Sequence, residues 1–320
     1  MSHDLIKNTL LGRLGNPMLN RLDDSAVFDI NGRLAFTTDS YVVSPLFFPG
    51  GDIGKLAVCG TVNDLSMAGA EPLYLSLSLI IEEGFSLDQL ERVIRSVQEA
   101  AAEAGVTVVT GDTKVVNRGA ADSLFINTAG VGIVPADLDV SSSGARIGDK
   151  VILSGPIGDH GIALISQRER LTFESPVESD CAPLNTLVKE VLQTTPHIHC
   201  LRDPTRGGLA STLNEFAESS GVGVRIKEDK LPIKKTVLAT CELMGFDPLY
   251  IANEGKLVAV VDSRDAEAVL QKIRENPYGR EAEIIGEIVE DHSGRVIMET
   301  RLGTSRIIDL LSGELLPRIC

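Results

Sequence analysis

From Arg33 onward, strand-like and helix-like stretches alternate, and this rhythm restricts the chain to layered α/β architecture. Residues 34–38 read as a strand, 53–68 as a helix and 73–81 as a strand. A helix over 87–104, with Ser86 as its N-cap and Gly105 as its end, precedes strands at 106–110 and 124–134. The rhythm stops at residues 135–150, where Ser141-Ser142-Ser143-Gly144 marks a break. It resumes with a strand at 151–154, a glycine turn and a helix. Helices near 184–192 and 208–219, strands at 222–226 and 256–261, a helix at 266–275 and a strand at 283–289 follow. At 320 residues, two domains are expected, each burying its own core. The fold class is α+β, with two α/β domains: residues 1–140, residues 141–305, and a flexible tail, residues 306–320, that ends on Cys320 and has no reason to be packed.

Composition narrows the function. A formal net charge of -15 argues against nucleic acid, whose phosphates demand a basic surface. The longest apolar runs, residues 73–81 and 257–261, are too short to span a bilayer, and the opening Met1-Ser2-His3-Asp4 carries no signal segment. A cytoplasmic protein with no membrane partner is expected. The five cysteines, Cys59, Cys181, Cys200, Cys241 and Cys320, include no C-x-x-C pair, so neither a disulfide framework nor a zinc site is suggested.

Carboxylates gather where the first domain's elements should end or turn: Asp23 and Asp24, Asp39, and Asp112 in Gly111-Asp112-Thr113-Lys114. Asn63-Asp64 lies in a helix of otherwise small and apolar residues, where such a pair calls for a partner. Hard oxygen ligands from several elements suit Mg²⁺ bridging protein to nucleotide phosphate. In the 111–114 stretch, glycine admits a tight turn and Lys114 an ammonium for a phosphate or oxyanion. Residues 50–55 are one residue short of a Walker A loop, and Leu56 stands where Ser or Thr would hold magnesium. The glycine turns of residues 154–161 and 202–208 are either anion cradles or devices for close packing. Glu254, just ahead of an apolar strand, is a candidate general base whose pKa burial would raise. His197 and His199 lack the spacing of a metal site. A terminal thiol beside its own carboxylate is better suited to carrying a group than to attacking.

Phe36-Thr-Thr-Asp39-Ser-Tyr-Val, Phe47-Phe-Pro-Gly-Gly-Asp52-Ile-Gly-Lys55, Thr110-Gly-Asp-Thr-Lys114, Ser154-Gly-x-x-Gly-Asp-His-Gly161, Arg202-Asp-x-Thr-Arg-Gly-Gly208, Ala252-Asn-Glu-Gly-Lys256 and Pro317-Arg-Ile-Cys320 together resemble the HypE family. These are the carbamoyl dehydratases of [NiFe]-hydrogenase maturation, within the aminoimidazole ribonucleotide synthetase-like superfamily. The match runs from about Leu22 to the end. It implies a homodimer whose N-terminal domains pair into an intersubunit β-barrel, with ATP and Mg²⁺ near the acidic motifs. By that resemblance Asp24, Asp39, Asn63, Asp64, Gly111, Asp112, Thr113 and Lys114 bind the nucleotide, and Asp39, Asp64 and Asp112 hold Mg²⁺. Cys320 accepts a carbamoyl group from the carbamoyltransferase HypF, and Lys114 and Glu254 organise its dehydration to a thiocyanate. The cyanide passes to the HypC–HypD scaffold. Family members open with a His-Gly-Ser-Gly-Gly loop for nucleotide phosphate; here Met1 to Leu5 alone precede a predicted helix over 6–14, so either the start is shortened or phosphate binding is altered. Two other readings are a small-molecule ATP-dependent synthetase of the same superfamily and a non-catalytic thiol carrier.

Overall fold

The computed structural model describes residues 10–21, 25–171, 176–310 and 316–320. Helix α1 (Leu11–Leu14) is the described part of the helix expected over 6–14, and Asp23 and Asp24 lie outside the described residues. The first sheet comprises β1 (Arg33–Tyr41), β4 (Glu71–Glu82), β5 (Thr107–Val116) and β6 (Leu124–Val134), in the order β1-β6-β4-β5. Two short strands, β2 (Phe47–Phe48) and β3 (Gly51–Asp52), form a hairpin before α2. β6 alternates strictly between buried and half-exposed positions, so one face meets the core and the other does not. Helices α2 (Ile53–Met67) and α3 (Leu87–Ala104) cover the buried face. Asp52 caps α2, its Oδ1 accepting from Gly54 N at 2.8 Å and Lys55 N at 3.2 Å, so these amides are taken and no phosphate loop exists there. On the other face Leu34, Phe36 and Ile80 are exposed.

The second unit is a seven-stranded sheet in the order β13-β12-β9-β11-β7-β10-β8. Its strands are β7 (Lys150–Leu153), β8 (Ile198–Arg202), β9 (Gly223–Lys227), β10 (Val258–Val261), β11 (Glu283–Val289), β12 (Val296–Glu299) and β13 (Ser305–Ile308). The helices are α4 (Asp159–Arg168), α5 (Asn185–Thr194), α6 (Gly208–Ser220), α7 (Lys235–Met244) and α8 (Ala266–Glu275). β10 is buried throughout because both faces are covered, by α6 on one side and by α5 and α8 on the other. The units share cores: Leu164, Cys181 and Ala252 pack with α2 and α3, and Met67 packs with α5 and α8. Among the described residues no helix is long and apolar enough to cross a membrane.

Two expectations are corrected, and one choice left open by the sequence is decided. Residues 111–114 do not turn: they continue β5 to Val116, and Gly111 is required because a Cβ there would lie 2.2 Å from the Leu77 carbonyl oxygen. The glycine turn of residues 154–161 serves packing, since Gly158 N donates to Asn253 Oδ1 at 2.7 Å and a Cβ on Gly161 would meet Ile251 at 2.4 Å. Lastly, the chain end is docked. Ile319 is buried in the first core, Val42 N donates to Cys320 O at 3.0 Å, and Ser44 N donates to Arg318 O at 3.3 Å. An apolar side chain and a short backbone ladder hold what composition alone leaves loose.

Candidate active site

The docked end delivers Cys320 to the seam between the two units. Its Sγ lies 3.6 Å from Arg206 Nη2, in the loop between β8 and α6. Burial, with the Glu254 carboxylate next in effect, pushes the thiol up to about 11. It is therefore protonated at neutral pH, in keeping with a carrier role.

Glu254 is buried at 3% exposure in the segment leading into β10, and its Oε1 has no hydrogen-bond partner among the described residues. Its backbone is fixed from several directions. Asp180 accepts from Glu254 N at 3.1 Å and Gly255 N at 3.2 Å while pairing with Lys256 at 3.2 Å. The Glu254 carbonyl accepts from Ala182 N and from Asn63 Nδ2. Asn253, buried completely, donates from Nδ2 to Pro204 O at 2.9 Å and ties this segment to the Arg206 loop. Burial raises the Glu254 carboxyl well above the usual carboxylate range, and Cys181, Asp203, Asp180 and Asp39 raise it further. Asp203, also buried, is pushed up to about 7 by burial, with Asp64 and Asp39 adding repulsion. Asp64 accepts from Thr37 Oγ1 at 2.9 Å and is raised by burial and by Asp39. Asp39, Asp64, Asp203, Glu254 and Cys320 thus form one electrostatic group, with Arg202 and Arg206 beside it.

Asp112 does not join it. In the strand register Asp112 pairs with Ser78, Ser78 with Asn127, and Asn127 with Ser40; Asp39 sits one row away, opposite Thr128. Successive residues of a strand face opposite sides, so Asp112 and Asp39 project from opposite faces of the sheet. Three strand spacings add about 14 Å between them. The expected triad of Asp39, Asp64 and Asp112 is therefore not brought together within one chain, and among the described residues no three His, Cys, Asp or Glu side chains are placed to hold a metal ion. Lys114 donates to Asp112 Oδ1 at 3.0 Å and shares its face, away from Glu254 and Cys320. That hydrogen bond lowers the Asp112 pKa. Gly111, Asp112 and Thr113 instead edge a cavity of about 180 Å³ walled by Leu10, Leu14, Met18 and Val109. Asn63 spends all its polar capacity inside the protein: Nδ2 donates to Ala182 O at 3.1 Å and Oδ1 accepts from Leu184 N at 2.8 Å. It braces the Glu254 segment. His197 and His199 each hydrogen-bond a separate carboxylate, Asp265 and Asp149, both at 2.7 Å. Asp203, Arg206, Asn253 and Asp180 stand out only in the structure; the first three lie in motifs noted from sequence, and Asp180 lies in none.

Asp39 and Asp64 fit a hard cation in part: burial and the neighbouring Asp39 charge raise the Asp64 carboxyl, and a shared positive charge would relieve both effects. Mg²⁺ typically completes such a pair with water and phosphate oxygens.

Family models describe both units: AIR synthase related protein, N-terminal domain, matches residues 22–134, and the corresponding C-terminal domain matches residues 146–299. The carbamoyl dehydratase HypE of Azotobacter vinelandii is 53% identical over 317 residues, covering 99% of this chain and 93% of the relative. That of Escherichia coli K12 is 45% identical over 322 residues, 99% of this chain and 95% of the relative. A crystal structure of hydrogenase maturation protein HypE in complex with ATP superposes with a TM-score of 0.97 at 50% identity, covering 100% of this chain and 96% of that one. A HypE–HypF complex matches at 0.85 and 50% identity, over 96% and 99%. With two AIR synthase-related domains, a docked terminal cysteine and near-complete likeness to these relatives, the chain belongs to the HypE family of carbamoyl dehydratases of hydrogenase maturation.

Proposed function

We propose that this protein uses ATP to dehydrate an S-carboxamide on its own Cys320 to a thiocyanate, the source of cyanide for a [NiFe]-hydrogenase iron site. One observation carries the reading: the terminal thiol lies in the same electrostatic group as a buried glutamate whose Oε1 has no partner among the described residues. A carboxamide on Sγ brings N–H donors to this group, and the free oxygen is the acceptor they lack. Loss of water from a primary amide removes both N–H protons and the oxygen. Glu254 takes a proton from nitrogen, and burial, which raises its carboxyl above the usual carboxylate range, strengthens the ionised form as a base. Asp203, pushed up to about 7, adds repulsion that raises Glu254 further. Arg206 steadies charge that develops at sulfur and oxygen. ATP supplies the chemistry that makes the oxygen a leaving group, as phosphate. Asp39 and Asp64 are the residues that would hold Mg²⁺, which neutralises phosphate charge. The cavity beside Gly111–Thr113, with apolar walls from Leu10, Leu14, Met18 and Val109 and a polar edge, suits the nucleotide base. Lys114 faces away from Cys320 on its own chain, so it serves the nucleotide or a partner copy.

The uncovered sheet face with Leu34, Phe36 and Ile80 supports a homodimer closed over that face. The relative solved with HypF supports HypF as carbamoyl donor, and HypC–HypD as acceptor follows from the family. Free cysteines suit a cytoplasmic setting. Intact-mass spectrometry after incubation with carbamoyl phosphate, the carbamoyltransferase and ATP tests the reading. Carbamoylated protein should lose one water, and only with ATP present. A carbamoylated chain that stays unchanged with ATP would refute it.

A further inference from the structure

We infer that Arg168 and His160 are positioning residues that form a latch on the backbone of the terminal arm and set how often Cys320 is presented to Glu254. The inference rests on the reading above that Cys320 carries the reacting group. Both residues belong to α4, His160 in its first turn and Arg168 at its last position, so one helix grips the arm at two points. Arg168 donates to three backbone carbonyls: from Nε to Ser44 O at 2.5 Å, from Nη1 to Pro317 O at 2.8 Å and from Nη2 to Arg318 O at 2.5 Å. Its guanidinium has no carboxylate in ion-pair distance among the described residues, so its fork of donors is committed to the arm and to the loop beneath it. His160 Nε2 lies 2.8 Å from Ile319 O, and Nδ1 lies 2.8 Å from Ser179 Oγ. A carbonyl can only accept, so Nε2 carries the proton and the Ser179 hydroxyl donates to Nδ1.

The latch reads backbone. Its partners on the arm are three successive carbonyls, and none of these contacts involves the Cys320 sulfur. It can therefore hold the arm whether the sulfur is a thiol, a carboxamide or a thiocyanate. Contacts that depend on side-chain identity lie beside it: Ile319 in the core, and Arg318 donating to Val42 O at 2.8 Å and to Asp122 at 2.5 Å. Cys59, Cys181, Cys200 and Cys241 are buried, and Cys320 alone is partly open, so its alkylation reports release of the arm.

The experiment uses the full-length protein with Arg168→Gln, His160→Gln and, as the conservative control, Arg168→Lys. Hydrogen bonds to a charged donor are strong enough that Arg168→Gln should speed iodoacetamide modification of Cys320 about 10- to 100-fold. Single-turnover dehydration of the carbamoylated protein should slow, with ATP affinity unchanged, and Arg168→Lys should recover part of both effects. His160→Gln should act in the same direction. Asp122→Asn, which leaves α4 untouched, should speed alkylation by a smaller factor and so separates release of the arm from damage to the helix. Alkylation at the wild-type rate in both glutamine variants overturns the latch. Faster alkylation with undiminished dehydration overturns its positioning role. If the wild-type protein fails to dehydrate, the reading of Cys320 falls, while the alkylation rates still test the latch.

Discussion

Two acidic groups of this protein use the same side chains in opposite surroundings. Asp112 stands exposed on an edge strand, hydrogen-bonded to Lys114, and its pKa is lowered. Asp64, Asp203 and Glu254 lie in the seam between the sheets, and burial raises all three. The first group is at ease as a charge and has little reason to move a proton. The second holds carboxyls that ionise reluctantly, which is the condition for proton transfer near neutral pH. A count of aspartates does not separate the two; their depth in the fold does.

The contrast can be broken in three ways. Glu254→Gln carries the largest expected effect: dehydration should fall by about 10³-fold, the typical scale of a lost general base, while carbamoylation of Cys320 persists. Thiocyanate forming at the wild-type rate in this variant, followed by mass spectrometry, would remove Glu254 from the mechanism.

Asp203→Asn tests the energetics of the seam. The folded state raises the Asp203 pKa to about 7, against roughly 3.9 in an unfolded chain. The native protein therefore binds more protons between these values. Its stability from this group is fully present below about pH 4 and declines as pH rises to about 7. The variant should gain on the order of a few kcal/mol relative to wild type at pH 8 and little at about pH 4, by urea unfolding. An unchanged difference between the two pH values would mean Asp203 is not strained by burial.

Asp112→Asn should do least. An exposed ion pair adds little to folding, so the melting temperature should match that of the wild type within error. A clear loss of thermal stability would show that the edge row is as demanding as the seam.

Much of the fold is legible in local pattern. α3, α8 and the strand β6 fall where helical and alternating periodicity place them, because each has one continuous apolar face. α7 was not anticipated: Thr236, Val237 and Thr240 weaken its helical signal, and burial of Val237 and Cys241 supplies what propensity does not. β12 and β13 are four residues each and gain their identity only from pairing. At the site, Glu254 and Cys320 are legible because each sits at a distinctive place in its motif. The separation of Asp39 from Asp112 is not, since it depends on pairing across two intervening strands. One register shift between Leu75 and Ser76 and another between Pro72 and Tyr74 alter that count without any local sign. Arg168 reads as an ordinary cation at a helix end, and only the arm lying across it reveals more.

Asn63 has a consequence for how the protein moves. Rooted in a buried helix of the first unit, it holds both the 182–184 segment and the carbonyl of the reactive glutamate in the second. Opening the seam like a hinge would tear out three buried hydrogen bonds and leave their groups dry and unpaired. The two units are thus pinned to each other beside the buried glutamate, more like a fixed jaw than a pair of closing shells.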